Sequence, residues 1–251
     1  MHHIENLDYD KNLFIFGETV NTKFGSIRFL TYREYLSHAA EINLIAQNSL
    51  HIYYNYRNQL KEAMADESSL KALMEIKEAD LLEIVLSTRQ LLNAYLKIFQ
   101  LVFDGNEEIQ YEIIFESSES FHFVRRLIMD MNVITEDKVS PNEEIQRAIE
   151  RSRRFKQQSS QEQTFVDIVT SIVASTSNSF DDVCRMNIFQ VYAIYARVGA
   201  IYNYQTSTLF ATVAEKVNIE SWNKHIDLFK LEDDVISKNE FDKKFGGLLQ
   251  M

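Results

Sequence analysis

A chain of 251 residues whose apolar fraction is 45%, with 17 Phe and 12 Tyr, can bury a sizeable core, which excludes a disordered polymer. Six Gly and one Pro leave too little turn punctuation for an all-β fold, and the single Cys184 excludes a disulfide scaffold and a thiolate-rich metal module and points to a reducing compartment. A net charge of -11 opposes binding to phosphate backbones, and neither a long apolar run nor a basic, signal-like start is present, so nucleic acid and membrane are both disfavoured.

The expected fold class is mainly α, a multi-helix bundle with a small N-terminal β-hairpin. Leu13-Phe14-Ile15-Phe16 and Ser26-Ile27-Arg28-Phe29-Leu30 flank a polar loop bounded by Gly17 and Gly25, and they read as the two strands of that hairpin. Thr31 with Glu34 forms a capping-box signature ahead of a helix carrying Tyr35, Leu36, Ala39, Ile42 and Ile45. Leu50 to Ala65 resumes the helical period, and Ser68 or Ser69 caps a helix through Ile76.

Residues 79 to 103 place Leu81, Leu82, Val85, Leu86, Leu92, Leu96, Phe99 and Val102 on one stripe, which predicts a long central helix ended by Asp104-Gly105-Asn106. Ile109 to Phe115 alternates imperfectly and is compatible with a strand, and a helix from Ser118 and Glu119 through Met131 follows. Thr135 to Asn142 reads as an internal linker. Pro141, Glu143 and Glu144 predict the first turn of a helix running to about Phe155. The expected regions are thus 1–134 and 141–251, or one continuous domain.

Gln157 to Gln163 reads as a loop or an exposed helical turn. Thr164 with Asp167, and Ser179 with Asp182, cap two further helices. From Ile188 the apolar positions predict a helix through Tyr202, a second with Leu209, Phe210, Val213 and Val217, and a third from Glu220 with Trp222, Ile226 and Phe229 on one side. Ser237 with Glu240 caps a last helix that stops at Gly246-Gly247.

Chemistry finds little purchase. Glu34 with His38 and Glu119 with His122 are the local metal-ligand candidates, and the second pair supplies one half of a helical di-iron pattern that needs two copies. Cys184 has no base nearby in sequence and reads as a small core thiol. The basic run Arg147, Arg151, Arg153, Arg154 and Lys156 is interleaved with Glu143, Glu144 and Glu150, as on a solvated helix face. No phosphate-cradling glycine series occurs, so neither an enzyme nor a cofactor is expected, and no catalytic, cofactor or metal residue is assigned.

The aromatic residues Phe189, Tyr192, Tyr195, Tyr202, Tyr204, Phe210, Trp222 and Phe229 are denser than a peripheral layer of helices needs, and they are the expected protein-binding group. The runs Glu144-Ile145-Gln146-Arg147-Ala148-Ile149-Glu150-Arg151, Thr164-Phe165-Val166-Asp167-Ile168-Val169 and Met186-Asn187-Ile188-Phe189-Gln190-Val191-Tyr192 resemble tail assembly chaperones of tailed bacteriophages. So do Asn203-Tyr204-Gln205-Thr206-Ser207-Thr208-Leu209-Phe210 and Trp222-Asn223-Lys224-His225-Ile226-Asp227-Leu228-Phe229; the likeness covers about residues 143 to 247, with a looser echo in Gly25 to Leu30.

That resemblance implies an acidic helical protein, active in the host cell cytoplasm. It would hold the tape-measure protein, or other tail proteins, until tail-tube subunits polymerise around it. Self-association into a homo-oligomer is admitted alongside. The rival expectation from the same features is a structural virion component, a neck, tail-completion or baseplate protein.

Overall fold

The computed structural model describes residues 9–62, 67–104, 107–136, 139–159, 163–214 and 217–229. Its first element corrects the expected hairpin: Lys11–Phe16 is a 3₁₀ turn, not a strand. Asp10 accepts a hydrogen bond from the Asn12 amide, and Gly17 ends the turn in the left-handed region at φ 70°. Phe14 alone goes into the core, while Leu13, Ile15 and Phe16 stay exposed, as a tight turn with three residues per revolution dictates. The hairpin lies further on, where β1 (Val20–Thr22) pairs antiparallel with β2 (Gly25–Ile27), Val20 opposite Ile27 and Thr22 opposite Gly25.

The capping box at Thr31 forms as the sequence predicts, with Glu34 reaching back to the Thr31 amide at 2.9 Å. The helix it opens is split at His38 into α1 (Tyr32–Ser37) and α2 (Ala39–Ile45). Next come α3 (Ser49–Glu62) and α4 (Glu67–Glu78). The expected long central helix is two helices, α5 (Leu81–Ser87), capped by Asp80, and α6 (Arg89–Val102). Thr88 between them is extended at φ -114° and ψ 102°, and the bend lets Leu82 and Val85 of α5 and Tyr95 and Phe99 of α6 enter one core.

The segment considered as a strand is helix α7 (Glu107–Glu116). Its apolar anchors Ile109 and Ile113 stand four residues apart, and Ile113 is fully buried; a short apolar run does not by itself separate the two periods. Ser117 caps α8 (Ser118–Met131). The helix closes with Ile134 donating its amide to the Met129 carbonyl at 2.9 Å and with Val133 at φ 51°, a left-handed position that usually takes glycine.

Two buried clusters organise these elements. The larger gathers Phe14, Ile27, Leu30, Ile45, Val85, Ile98, Leu127 and Ile128 around the rings of Tyr95, Phe99 and Phe121, whose centroids lie 4.9 to 6.4 Å apart. The smaller joins Tyr32 of α1 to Ile168, Val169 and Ile172 of α10 (Phe165–Ser175), Val183 of α11 (Phe180–Arg185), and Ile188 and Val191 of α12 (Ile188–Phe210). A bridge between Thr31 and Asn187, with the Tyr32 amide on the Met186 carbonyl at 2.7 Å, ties the front of the chain to its rear. Residues 165–229 therefore share a packed unit with those before 137.

A second unit contains α9 (Glu143–Ser159), longer than the predicted helix. Pro141 precedes the first turn instead of sitting in it: the cap is Asn142, whose side chain accepts from the Glu144 and Ile145 amides at 2.9 and 3.3 Å. The last predicted helix, from Ser237, lies outside the described residues. No helix among the described residues is long and apolar enough to cross a membrane.

A candidate protein-docking helix

The helix α12 is fixed at one end. Asn187 caps it in a reciprocal box with Gln190, the Gln190 amide bonding Asn187 Oδ1 at 2.7 Å and the Asn187 amide bonding Gln190 Oε1 at 3.0 Å. The same two side chains spend their remaining donors on the 3₁₀ turn, Asn187 Nδ2 on the Phe14 carbonyl at 3.3 Å and Gln190 Nε2 on the Ile15 carbonyl at 2.8 Å. Ile188 and Val191 are fully buried, and Tyr192, Ile194 and Tyr195 pack on the smaller cluster. Burial pushes the Tyr32 hydroxyl up to about 12 and holds that of Tyr192 above its ordinary value.

The segment after the helix folds back along its first turns. Phe189 meets Phe14 edge-on at 5.9 Å and Phe229 at 6.2 Å, and Lys11 Nζ stands 4.3 Å from the centre of the Phe229 ring while paired with Asp130 at 2.7 Å. Arg197 donates to the carbonyls of Trp222 and Lys224. A cavity of about 320 Å³ remains between Lys11, Phe189, Arg197, His225 and Phe229. The predicted third helix is absent from this segment, which runs in turns; the Ser221 and Asp227 side chains bond within two residues, to Asn223 Oδ1 and the Phe229 amide.

The other end of α12 has no such cover. Where the sequence predicts two helices, one continues through Asn203 to Thr208 and projects its apolar side chains into solvent: Tyr202 is 52%, Leu209 70%, Phe210 58% and Val213, in the turn beyond, 83% exposed. From Val198 to Ala214 the chain contains no Asp, Glu, Lys, Arg or His, although one residue in four of the whole, 25%, is charged. The hydroxyls of Thr208 and Thr212 bond to the Tyr204 and Leu209 carbonyls at 2.8 and 2.7 Å, which takes polarity off the surface. An apolar, uncharged helical face of this kind serves for packing against another helix.

The eight aromatic residues expected to bind a partner fall into two sets. Phe189, Tyr192, Tyr195 and Phe229 are partly buried in intramolecular packing; Tyr202, Phe210 and Trp222 are exposed, and Tyr204 is half-buried beside them. Leu209 and Val213 belong with the exposed set, and the signal that marks them is the charge-free run, not aromatic density.

Of the other candidates, Glu34 and His122 have structural partners. Glu34 is held by Arg28 and Thr31, and His38 Nδ1 is 3.8 Å from Glu41. His122 Nε2 lies 3.0 Å from one Asp80 oxygen while Ser118 donates to the other at 2.9 Å, so the carboxylate sits between serine and histidine. Among the described residues no group of three or more His, Cys, Asp and Glu side chains is arranged to hold a metal ion. Cys184 is half-buried.

The fold is that of a mainly α protein with a small N-terminal hairpin and an exposed, charge-free end to its longest described helix. The family follows from comparison with known proteins: residues 9–141 match the YomV N-terminal domain and residues 156–227 the YomV second domain, so the chain belongs to the YomV family. A SPbeta prophage-derived uncharacterized protein, YomV of Bacillus subtilis (strain 168), is 31% identical over 241 residues, covering 94% of this chain and 98% of that protein. No solved structure matches the chain.

Proposed function

We propose that this protein is a phage tail morphogenesis factor, a protein-binding chaperone that holds the tape-measure protein during tail assembly in the host cytoplasm. The observation that carries the reading is the exposed, charge-free end of α12, with Tyr202, Leu209, Phe210 and Val213 outside any core. A tape measure is a long helical protein with apolar faces, and such faces aggregate unless another apolar helix covers them. The net charge of -11, carried elsewhere on the chain, keeps the resulting complex soluble. The prophage origin of the Bacillus subtilis relative and the tail-chaperone resemblance of the rear half of the chain support the same reading.

Co-expression with the tape-measure protein of the same genome tests it. The expected result is a soluble complex that co-purifies. A tape measure that stays insoluble and unbound overturns the reading, and a stoichiometric band of this protein in purified virions would assign it instead to the particle itself.

A further inference from the structure

We infer that the cavity between the first half of α12 and the segment ending at Phe229 is a binding site for a carboxylate carried on an apolar stem, from either a free acid or the last residue of a polypeptide. Arg197 selects the charge. It lines the cavity, is half-buried and makes no ion pair among the described residues, although acidic residues outnumber basic ones 37 to 26 in the chain. Its Nη1 donates to the Trp222 carbonyl and to that of Lys224 at 3.0 Å, which holds the guanidinium in place, while Nη2 and Nε have no partner among the described residues. A planar cation fixed at one corner, with donors left over, suits a carboxylate. A doubly charged phosphate would call for a second open cation, and Lys11 is already paired with Asp130 at 2.7 Å.

The walls select the stem. Phe189 and Phe229 present two rings whose centroids lie 6.2 Å apart, and Ala193, one turn before Arg197 on the same face of α12, leaves space open beside the guanidinium. Asp227 is the one carboxylate in the lining; it is exposed and its Oδ1 accepts from the Phe229 amide at 2.9 Å, so water weakens its repulsion of an incoming anion. His225 makes no hydrogen bond among the described residues and adds a second polar group to the lining. The volume of about 320 Å³ lies at the small end of the range that ligand sites span, roughly 300 to 1,000 Å³, which suits a ligand the size of one residue and excludes a helix. Such a ligand touches both α12 and the segment from His225 to Phe229, and so fastens one to the other.

The full chain, without any tail protein, provides the test, by calorimetric titration with 3-phenylpropionate and with N-acetylphenylalanine, each beside its own neutral carboxamide. At least one carboxylate should bind about tenfold or more tighter than its amide, and occupancy should slow hydrogen exchange at the amides from Lys224 to Phe229. Tighter binding of N-acetylphenylalanine, which carries the backbone of a chain end, marks a polypeptide as the source, and tighter binding of phenylpropionate marks a free acid; both results support the site. Ala193→Phe fills the space but leaves Arg197 on its two carbonyls, and it should abolish binding with the helical circular dichroism unchanged. Arg197→Met should abolish the preference for carboxylate over amide. No saturable binding of either carboxylate up to roughly 10 mM overturns the inference. So does an amide that binds as tightly as its acid, or binding that survives Ala193→Phe, since the first removes charge from recognition and the second places the ligand elsewhere.

Discussion

Arg28 and Glu34 make a two-pronged ion pair across the turn into α1, Nη1 to Oε2 and Nη2 to Oε1, both at 2.9 Å. The Arg28 guanidinium, aided by the Thr31 amide, lowers the Glu34 carboxyl to about 2. The folded form therefore binds this proton less readily than the unfolded chain, whose glutamates titrate near about 4.3. Stability from the pair is fully present above that value and is lost as pH falls toward 2. With both side chains partly in solvent, the effect is about 1 kcal/mol. Acid titration followed by circular dichroism should show a shallower loss for Glu34→Gln between pH 4 and 2 than for the parent.

Arg125 on α8 is a buried tie. Its Nε donates to the Ile45 carbonyl at 3.1 Å and to the Tyr95 hydroxyl at 2.9 Å, Nη2 reaches the Gln47 carbonyl at 3.2 Å, and Nη1 pairs with Glu136. Burial pushes the Glu136 carboxyl up, but the Arg125 charge and hydrogen bonds outweigh it and leave it below its ordinary value. Arg125→Met should cost about 3 kcal/mol in urea denaturation, because it leaves three acceptors without its donors, while Glu136 is 40% exposed and keeps the Asn48 amide. Arg125→Lys should recover little of that, since a single ammonium cannot replace the fork.

Asn187 serves two elements at once, capping α12 and holding the Phe14 carbonyl. Asn187→Ala should lower stability by about 1 to 2 kcal/mol. Hydrogen exchange should quicken at the Gly17 amide, which bonds the Phe14 carbonyl at 3.1 Å, as well as in the first turn of the helix. Faster exchange confined to the helix would show that the second bond carries nothing.

Leu209 and Val213 differ from core residues in the sign of the expected outcome. Leu209→Glu and Val213→Glu should leave the unfolding free energy in urea within about 0.5 kcal/mol of the parent, since both side chains are exposed. The same changes should abolish recovery of a soluble tape-measure complex. A destabilised but still binding variant would contradict both halves of this prediction.

The residues that cap helices were legible because capping is local chemistry. Thr31 with Glu34, and Ser179 with Asp182, each satisfy their amides within three residues, and both boxes form as read. The break at Thr88 was not legible, because the apolar stripe from Leu81 to Val102 continues through it and only the packing of α5 and α6 on one core calls for the bend. Exposure within the aromatic group was only half legible. Aromatic density found Tyr202 and Phe210, but it could not separate them from Phe189 and Phe229, whose rings are occupied by Phe14 and by each other. The error at Leu13 to Phe16 has the same root, since a short apolar run does not say which of its residues will find a core.

By itself the sequence determined that the chain is helical, acidic and supplied with caps, and that one stretch near its end carries no charge, because these follow from side-chain type and spacing of a few residues. Only the tertiary structure decided that Asn187 bridges to Thr31, that Tyr32 completes the core of α10 to α12, and that this core ends before Tyr202. Those outcomes depend on contacts between residues more than a hundred positions apart, and no local pattern encodes which half of a long helix the rest of the chain will reach.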